Sequence, residues 1–176
     1  MTEAKPSELD KPLYSLAHLT LINCTPAELV YVAARAGYDA VSPRFSTMNV
    51  PGEFTHAPLD RAQVQATRTA LATTGIKVLD IELARISEDC DPREFEAALE
   101  LGGELGAEHM IMSAWTTRRD DRNFLLDVYS ETCDLAAPYG LTIDLEFPSF
   151  SRLRTLDEVL DIVRAADRPN GGVLVD

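Results

Sequence analysis

One pattern recurs along the chain. A helix-like segment runs into a glycine, and an apolar run follows within a few residues, as in AARAGYDAVSPRF, LATTGIKVLDIEL, GGELGAEHMIMSAW, AAPYGLTIDLEF and ADRPNGGVLVD. Glycine suits the position just past a helix C-terminus because it enters the left-handed region without a Cβ penalty. The runs are nearly continuous in apolar residues rather than alternating, which predicts strands buried on both faces, as in parallel sheets.

Strands are predicted over Ser15–Ile22, Asp39–Pro43, Ile76–Glu82, His109–Ala114, Leu141–Phe147 and Val173–Asp176. Helices are predicted over Pro26–Ala36, Leu59–Thr73, from Asp91-Pro92 to Leu105, over Asp121–Ala137, and from Thr155 to Ala166. Thr25-Pro26 and Asp91-Pro92 each supply an N-cap and a proline for the first turn, and Thr155 with Glu158 reads as a capping box. Residues 1–13 read as a disordered arm and 14–176 as one partial barrel. The loop from Phe45 to Pro58, rich in Pro, Gly, Thr and Asn, is long enough to be functional. The last three strands begin at His109, Leu141 and Val173, about 32 residues apart, which is a βα repeat. The expected fold class is α/β, a (β/α)8 TIM barrel truncated to about six strands, because eight strands typically take about 250 residues. Such a chain is expected to be incomplete, inactive alone and bare along its first and last strands, so that another chain or a second copy could pair there.

Composition narrows the partners. The 176 residues are 45% hydrophobic and carry a net charge of −13, which argues against a nucleic-acid backbone. The apolar runs are strand-sized, so no membrane span is expected. The N-terminus lacks the apolar core of a secretory signal, and Cys24, Cys90 and Cys133 form no CxxC or Cys/His cluster. A reducing cytoplasm is the expected setting.

The chemistry should lie past the strand ends, where α/β barrels keep their active sites. Three predicted strands end in acids: Glu82, Glu146 and Asp176. Asn23, Arg44, Arg85 and Trp115 join them, and Asp144 shares a face with Glu146 by alternation. Buried carboxylates must be paired, protonated or bound to a cation. Oxygen ligands and only three histidines point to Mg²⁺ or Mn²⁺ rather than Zn²⁺. Glu82 reads either as a substrate contact or as an ion-pair partner of Arg85 or Arg44. Trp115 reads as a sugar-stacking platform or as loop packing. His18 and His109 read as structural, His56 as a residue of the long loop, and Arg118-Arg119 as a solvated loop that could also catch an anion. RPNGG reads as turn chemistry.

PAELVYVAARAGYDAV, GIKVLDIEL, LGAEHMIM, YGLTIDLEFPSF and RPNGGVLVD, in that order and spacing, resemble the sugar phosphate isomerase/epimerase group of xylose isomerase-like barrels. The resemblance spans nearly all of the chain after the arm. It implies that Glu146 and Asp176 ligate one divalent metal and that Glu146 also carries a proton. The implied reaction is isomerisation or epimerisation of a small sugar or sugar-like hydroxy-carbonyl through a metal-bound enediolate. Its further ligands, a histidine three residues after the Asp and others on strands seven and eight, lie beyond Asp176. Two rivals stand beside this reading: a metal-dependent dehydratase of a cyclic polyol or dehydroshikimate-like acid, and a catalytically dead barrel fragment acting as a binding subunit. Endonuclease IV-like DNA repair shares the fold, but the acidic charge and scarce histidines disfavour it.

Overall fold

The computed structural model describes residues 12–46, 60–118 and 121–176. Most of the predicted arm, most of the long loop with His56, and Arg119 with Asp120 lie outside these residues. The described chain alternates strand and helix: β1 (Ser15–Ala17), α1 (Pro26–Ala36), β2 (Ala40–Ser42), α2 (Arg61–Thr74), β3 (Lys77–Val78), β4 (Asp80–Ile86), α3 (Glu96–Glu104), β5 (His109–Ala114), α4 (Arg122–Ala136), β6 (Thr142–Leu145), α5 (Leu156–Ala166) and β7 (Gly171–Val173).

Every ladder is parallel, and strands pair in chain order within β1-β2-β3 and within β4-β5-β6-β7. Leu79 joins the two sheets: its N–H donates to Val41 O, and its carbonyl accepts from Glu108 N–H. A parallel bridge between Arg44 and Glu82 continues the join. The result is an arc of strands with a helix behind each crossover, as βα units require.

Helix ends follow the sequence closely. Thr25 and Thr155 form capping boxes with Glu28 and Glu158, while Asp60 and Asp121 cap α2 and α4. Gly37, Gly75, Gly106 and Gly140 take the expected positive φ. The fifth repeat departs from the pattern. Asp167 ends α5 in the left-handed region, and the two glycines of RPNGG lie in β7. An aspartate tolerates that conformation, which releases Gly171 and Gly172 to serve where space is tight.

That tight place is opposite Asp144. Gly172 is its register partner, and a Cβ at Gly172 would overlap Asp144 Oδ1. Gly172→Ala is therefore expected to push Asp144 aside and cost about 1–3 kcal/mol in denaturant unfolding, whereas an unchanged midpoint would show that the strand relaxes freely.

Four strand expectations are corrected. The first strand is only Ser15–Ala17, because His18–Leu21 turns into a 3₁₀ helix once His18 bonds to Cys24 O. The third strand breaks at Leu79 and then runs on to Ile86, so Glu82 and Arg85 lie inside β4 rather than past its end. The last strand is Gly171–Val173, which leaves Asp176 three residues beyond it. Alternation also replaces the continuous apolar pattern. Met110, Met112, Ile143 and Leu145 are fully buried on the helix-packed face, while His109, Ile111, Thr142 and Asp144 are half-buried on the inner face.

Candidate active site

A cavity of about 480 Å³ opens at the C-terminal ends of the strands. Among the described residues, four ionisable side chains line it: Arg44 after β2, Glu82 in β4, Glu146 after β6 and Asp176 after β7. The rest of the wall is largely apolar and includes Leu19, Ile111, Leu174, Trp115 and Phe150. Its size and its mix of apolar wall and a few polar groups match a small-molecule site.

Arg44 and Glu82 form a buried ion pair, with Nε 3.1 Å from Oε2 and residue exposures of 7% and 9%. The alternation of β4 carries Glu82 to the inner face beside Asp80, and a bulge between Ile81 and Ala84 follows. Bulges re-aim side chains next to functional sites. Burial pushes the Glu82 carboxyl up to about 7, with Arg44 opposing the rise and the charges of Asp80 and Glu146 adding to it. Of the two partners the sequence offered Glu82, the fold selects Arg44.

Glu146 is half-buried, and its N–H donates to Met112 O, which extends the β5-β6 ladder by one residue. Burial raises its carboxyl above the ordinary range; the Ser113 hydroxyl pulls the other way, and the charge of Asp176 raises it further. The two acids therefore sense one another across neighbouring strands. Their oxygen donors fit a hard divalent cation, since Mg²⁺ is commonly held by one or two carboxylates with water or substrate completing the shell. Among the described residues, no group of three or more His, Cys, Asp or Glu side chains is placed to hold a metal ion.

Other predicted residues lie elsewhere. Asn23 is exposed in the turn before α1 and does not line the cavity. Arg85, in register with Ser113, does not itself line the cavity, but its guanidinium lies 5.6 Å from the centre of the Trp115 ring, which does. Attraction to the ring face holds it there. Phe150 meets the same ring edge-on at 5.4 Å. Asp144 faces inward as alternation requires but sits a layer deeper, 2.8 Å from His109 Nδ1, rather than at the mouth. Arg118 is exposed and also stands outside the cavity.

Sequence reasoning missed two contributors. Ser113 was hidden in an apolar run, although alternation from Ile111 would have placed it on the inner face. His18 positions the cavity from behind: its Nδ1 accepts from Arg44 N–H at 2.9 Å, so Nε2 carries the proton that goes to Cys24 O. This ties β2 to the β1–α1 turn.

Beneath the cavity, Ser15, Ser42 and Asp80 form a hydrogen-bonded row near His109 and Asp144. Burial pushes the Asp80 carboxyl up to about 6, with Ser42 and His109 opposing and Asp144 adding to the rise. An acid raised on folding keeps a proton that the unfolded chain has shed, so stability falls as pH climbs from about 4 to about 6. Asp80→Asn should flatten that slope and raise stability at pH 8 by about 1–3 kcal/mol, as read from melts across pH. A parent slope unchanged by the substitution would contradict this.

A model described as xylose isomerase-like TIM barrel matches residues 30–176. This chain belongs to that family. An inosose isomerase of Bacillus velezensis is 30% identical over 90 residues, covering 47% of this chain and 32% of its own length. A xylose isomerase-like barrel from Mycobacterium smegmatis, solved in complex with magnesium, superposes with a TM-score of 0.72 at 16% identity, covering 98% of this chain and 66% of its own. The 3-keto-D-glucoside 4-epimerase of E. coli gives 0.70 at 15% identity, covering 92% of this chain and 67% of its own. The chain thus spans about a third of the length of the inosose isomerase and about two thirds of these two solved structures. Among the described residues, no helix is long and apolar enough to cross a membrane.

Proposed function

We propose that this protein is a divalent-metal-dependent isomerase or epimerase of a small, sugar-like hydroxy-carbonyl compound. The observation that carries the reading is the placement of Glu146 and Asp176, from adjacent strands, on one cavity where their charges interact. The names of its relatives support it: one is an inosose isomerase, another a 3-keto-D-glucoside 4-epimerase, and a third was solved with magnesium.

Glu146 and Asp176 would hold the ion, Mg²⁺ or Mn²⁺, which would polarise a substrate carbonyl as a Lewis acid. Glu146, raised by burial, is suited to take a proton from the carbon beside that carbonyl; the carboxyl exchanges with solvent, and a proton is then returned to the neighbouring carbon, or by a second acid to the opposite face. Glu82, near 7, is partly protonated at neutral pH, so it both donates to and accepts from substrate hydroxyls. Arg44 fixes Glu82 in place. The apolar wall excludes water around the transferring proton.

The setting we propose is a reducing cytoplasm, in keeping with free Cys24, Cys90 and Cys133. The strand edges at β1 and β7, each with one neighbour among the described residues, support self-association.

Solvent exchange tests the reaction. In D₂O with Mn²⁺, the full-length protein should introduce one deuterium beside the carbonyl of a ketohexose or inosose. Turnover of these compounds without deuterium entering the product would overturn the proton-transfer reading.

A further inference from the structure

We propose that Glu88 is a positioning residue, whose carboxylate latches the loop after β5 and so sets Trp115 as a wall of the cavity. The inference rests on the isomerase reading in taking this cavity as the place where substrate binds.

Trp115 follows β5 directly and lines the cavity. Its indole does little to hold itself there. Nε1 is buried without a hydrogen-bond partner among the described residues, although a buried indole N–H ordinarily finds an acceptor. The edge-on contact with Phe150 is a poor anchor, since Phe150 is itself 68% exposed. The orientation of the ring therefore depends on what holds the main chain on either side of it.

On the near side the hold is the end of the sheet. Trp115 N–H donates to Ile86 O at 2.8 Å, and Ala114 O accepts from both Ser151 Oγ and Arg152 N–H. On the far side strand pairing has ended, and one side chain takes over. Glu88, in the loop after β4, accepts three hydrogen bonds on a single carboxylate oxygen: from Thr117 N–H at 2.6 Å, from Thr117 Oγ1 at 3.0 Å and from Arg118 N–H at 2.9 Å. Hydrogen bonds to an ionised acceptor are roughly twice as strong as neutral ones. These satisfy two main-chain donors that lie past the ladder. Glu88 and Thr117 are 29 residues apart, so the carboxylate joins two neighbouring βα loops rather than capping its own. Thr116, between the ring and the latch, is buried. The segment from Ala114 to Arg118 is thus pinned at both ends with Trp115 inside it. Glu88 does not itself line the cavity, so its effect on a ligand is exerted through Trp115.

Trp115 is the only tryptophan of the chain, so its fluorescence reports on this wall alone. The test measures acrylamide quenching of that fluorescence in the full chain and in three variants, with circular dichroism to check folding. Glu88→Ala removes the acceptor and is expected to raise the quenching constant about two-fold, because a loop freed of its latch opens locally. Glu88→Asp keeps the charge on a shorter side chain and should behave like Glu88→Ala. Glu88→Gln keeps an acceptor oxygen at the same reach without the charge, and should return close to the parent value. In turnover of a ketohexose or inosose with Mn²⁺, Glu88→Ala should raise KM about five-fold with little change in kcat, the pattern of a contact made equally before and during reaction. Parent-like quenching in both Glu88→Ala and Glu88→Asp would overturn the proposal, as would a fall in kcat at unchanged KM. Quenching needs neither metal nor substrate, so it decides this inference even where turnover is absent and the isomerase reading falls with it.

Discussion

Arg44→Leu is expected to lower the stability of the fold by about 3–5 kcal/mol at pH 8, and by distinctly less at pH 5. Arg44 and Glu82 are both buried, and the guanidinium is the named group that holds the Glu82 carboxyl down against burial, Asp80 and Glu146. Even with that help the carboxyl sits near 7. Without Arg44 it rises further, so above neutral pH the native state must carry an uncompensated buried charge. The sign follows from proton counting. The unfolded chain sheds this proton near 4.5, the variant native state keeps it to well above 7, and stability therefore falls as pH climbs between the two. At pH 5 the carboxyl holds its proton in the native state of parent and variant alike, so the linkage difference between them vanishes and the deficit shrinks to lost packing and hydrogen bonding. Urea unfolding at the two pH values measures the difference; equal losses at both would mean that Glu82 is not the group left exposed to the change.

Glu146→Gln should lower turnover by at least 10²–10⁴-fold while holding or raising the melting temperature. The two expectations come from one cause. Burial and Asp176 disfavour the charged form of Glu146, so a neutral amide relieves the native state of a cost. The same amide cannot accept a proton from carbon and is a poor ligand for a hard cation. A site residue that is bad for stability and needed for chemistry should show this opposition. Parallel loss of activity and stability would reassign Glu146 to a structural role.

Much of this arrangement was legible in the sequence because helix ends announce themselves. Thr25-Pro26, Thr155 with Glu158, and the glycines after α1, α2 and α3 mark boundaries through local chemistry, and the boundaries place Glu146 just past β6, while Asp176 falls three residues past the end of β7. What stayed hidden depends on contacts between distant residues. Nothing local in LTLIN says that His18 bonds to Cys24 O and Arg44 N–H and so stops β1 after Ala17. Nothing local says that Leu79 interrupts the third strand and that Glu82 therefore pairs with Arg44 rather than Arg85. The depth of Asp144 was equally out of reach. Alternation fixes which face a side chain takes, but its layer depends on Gly172 across the β6-β7 ladder.

The most direct test of the metal assignment is the binding of Mn²⁺ followed by the loss of its free-ion spin-resonance signal. The account predicts a single tightly held ion in the parent protein and at least ten-fold weaker binding in Glu146→Gln and in Asp176→Asn alike. Binding that survives both substitutions unchanged would mean that the two carboxylates do not share a cation, and the proposed chemistry would fall with it.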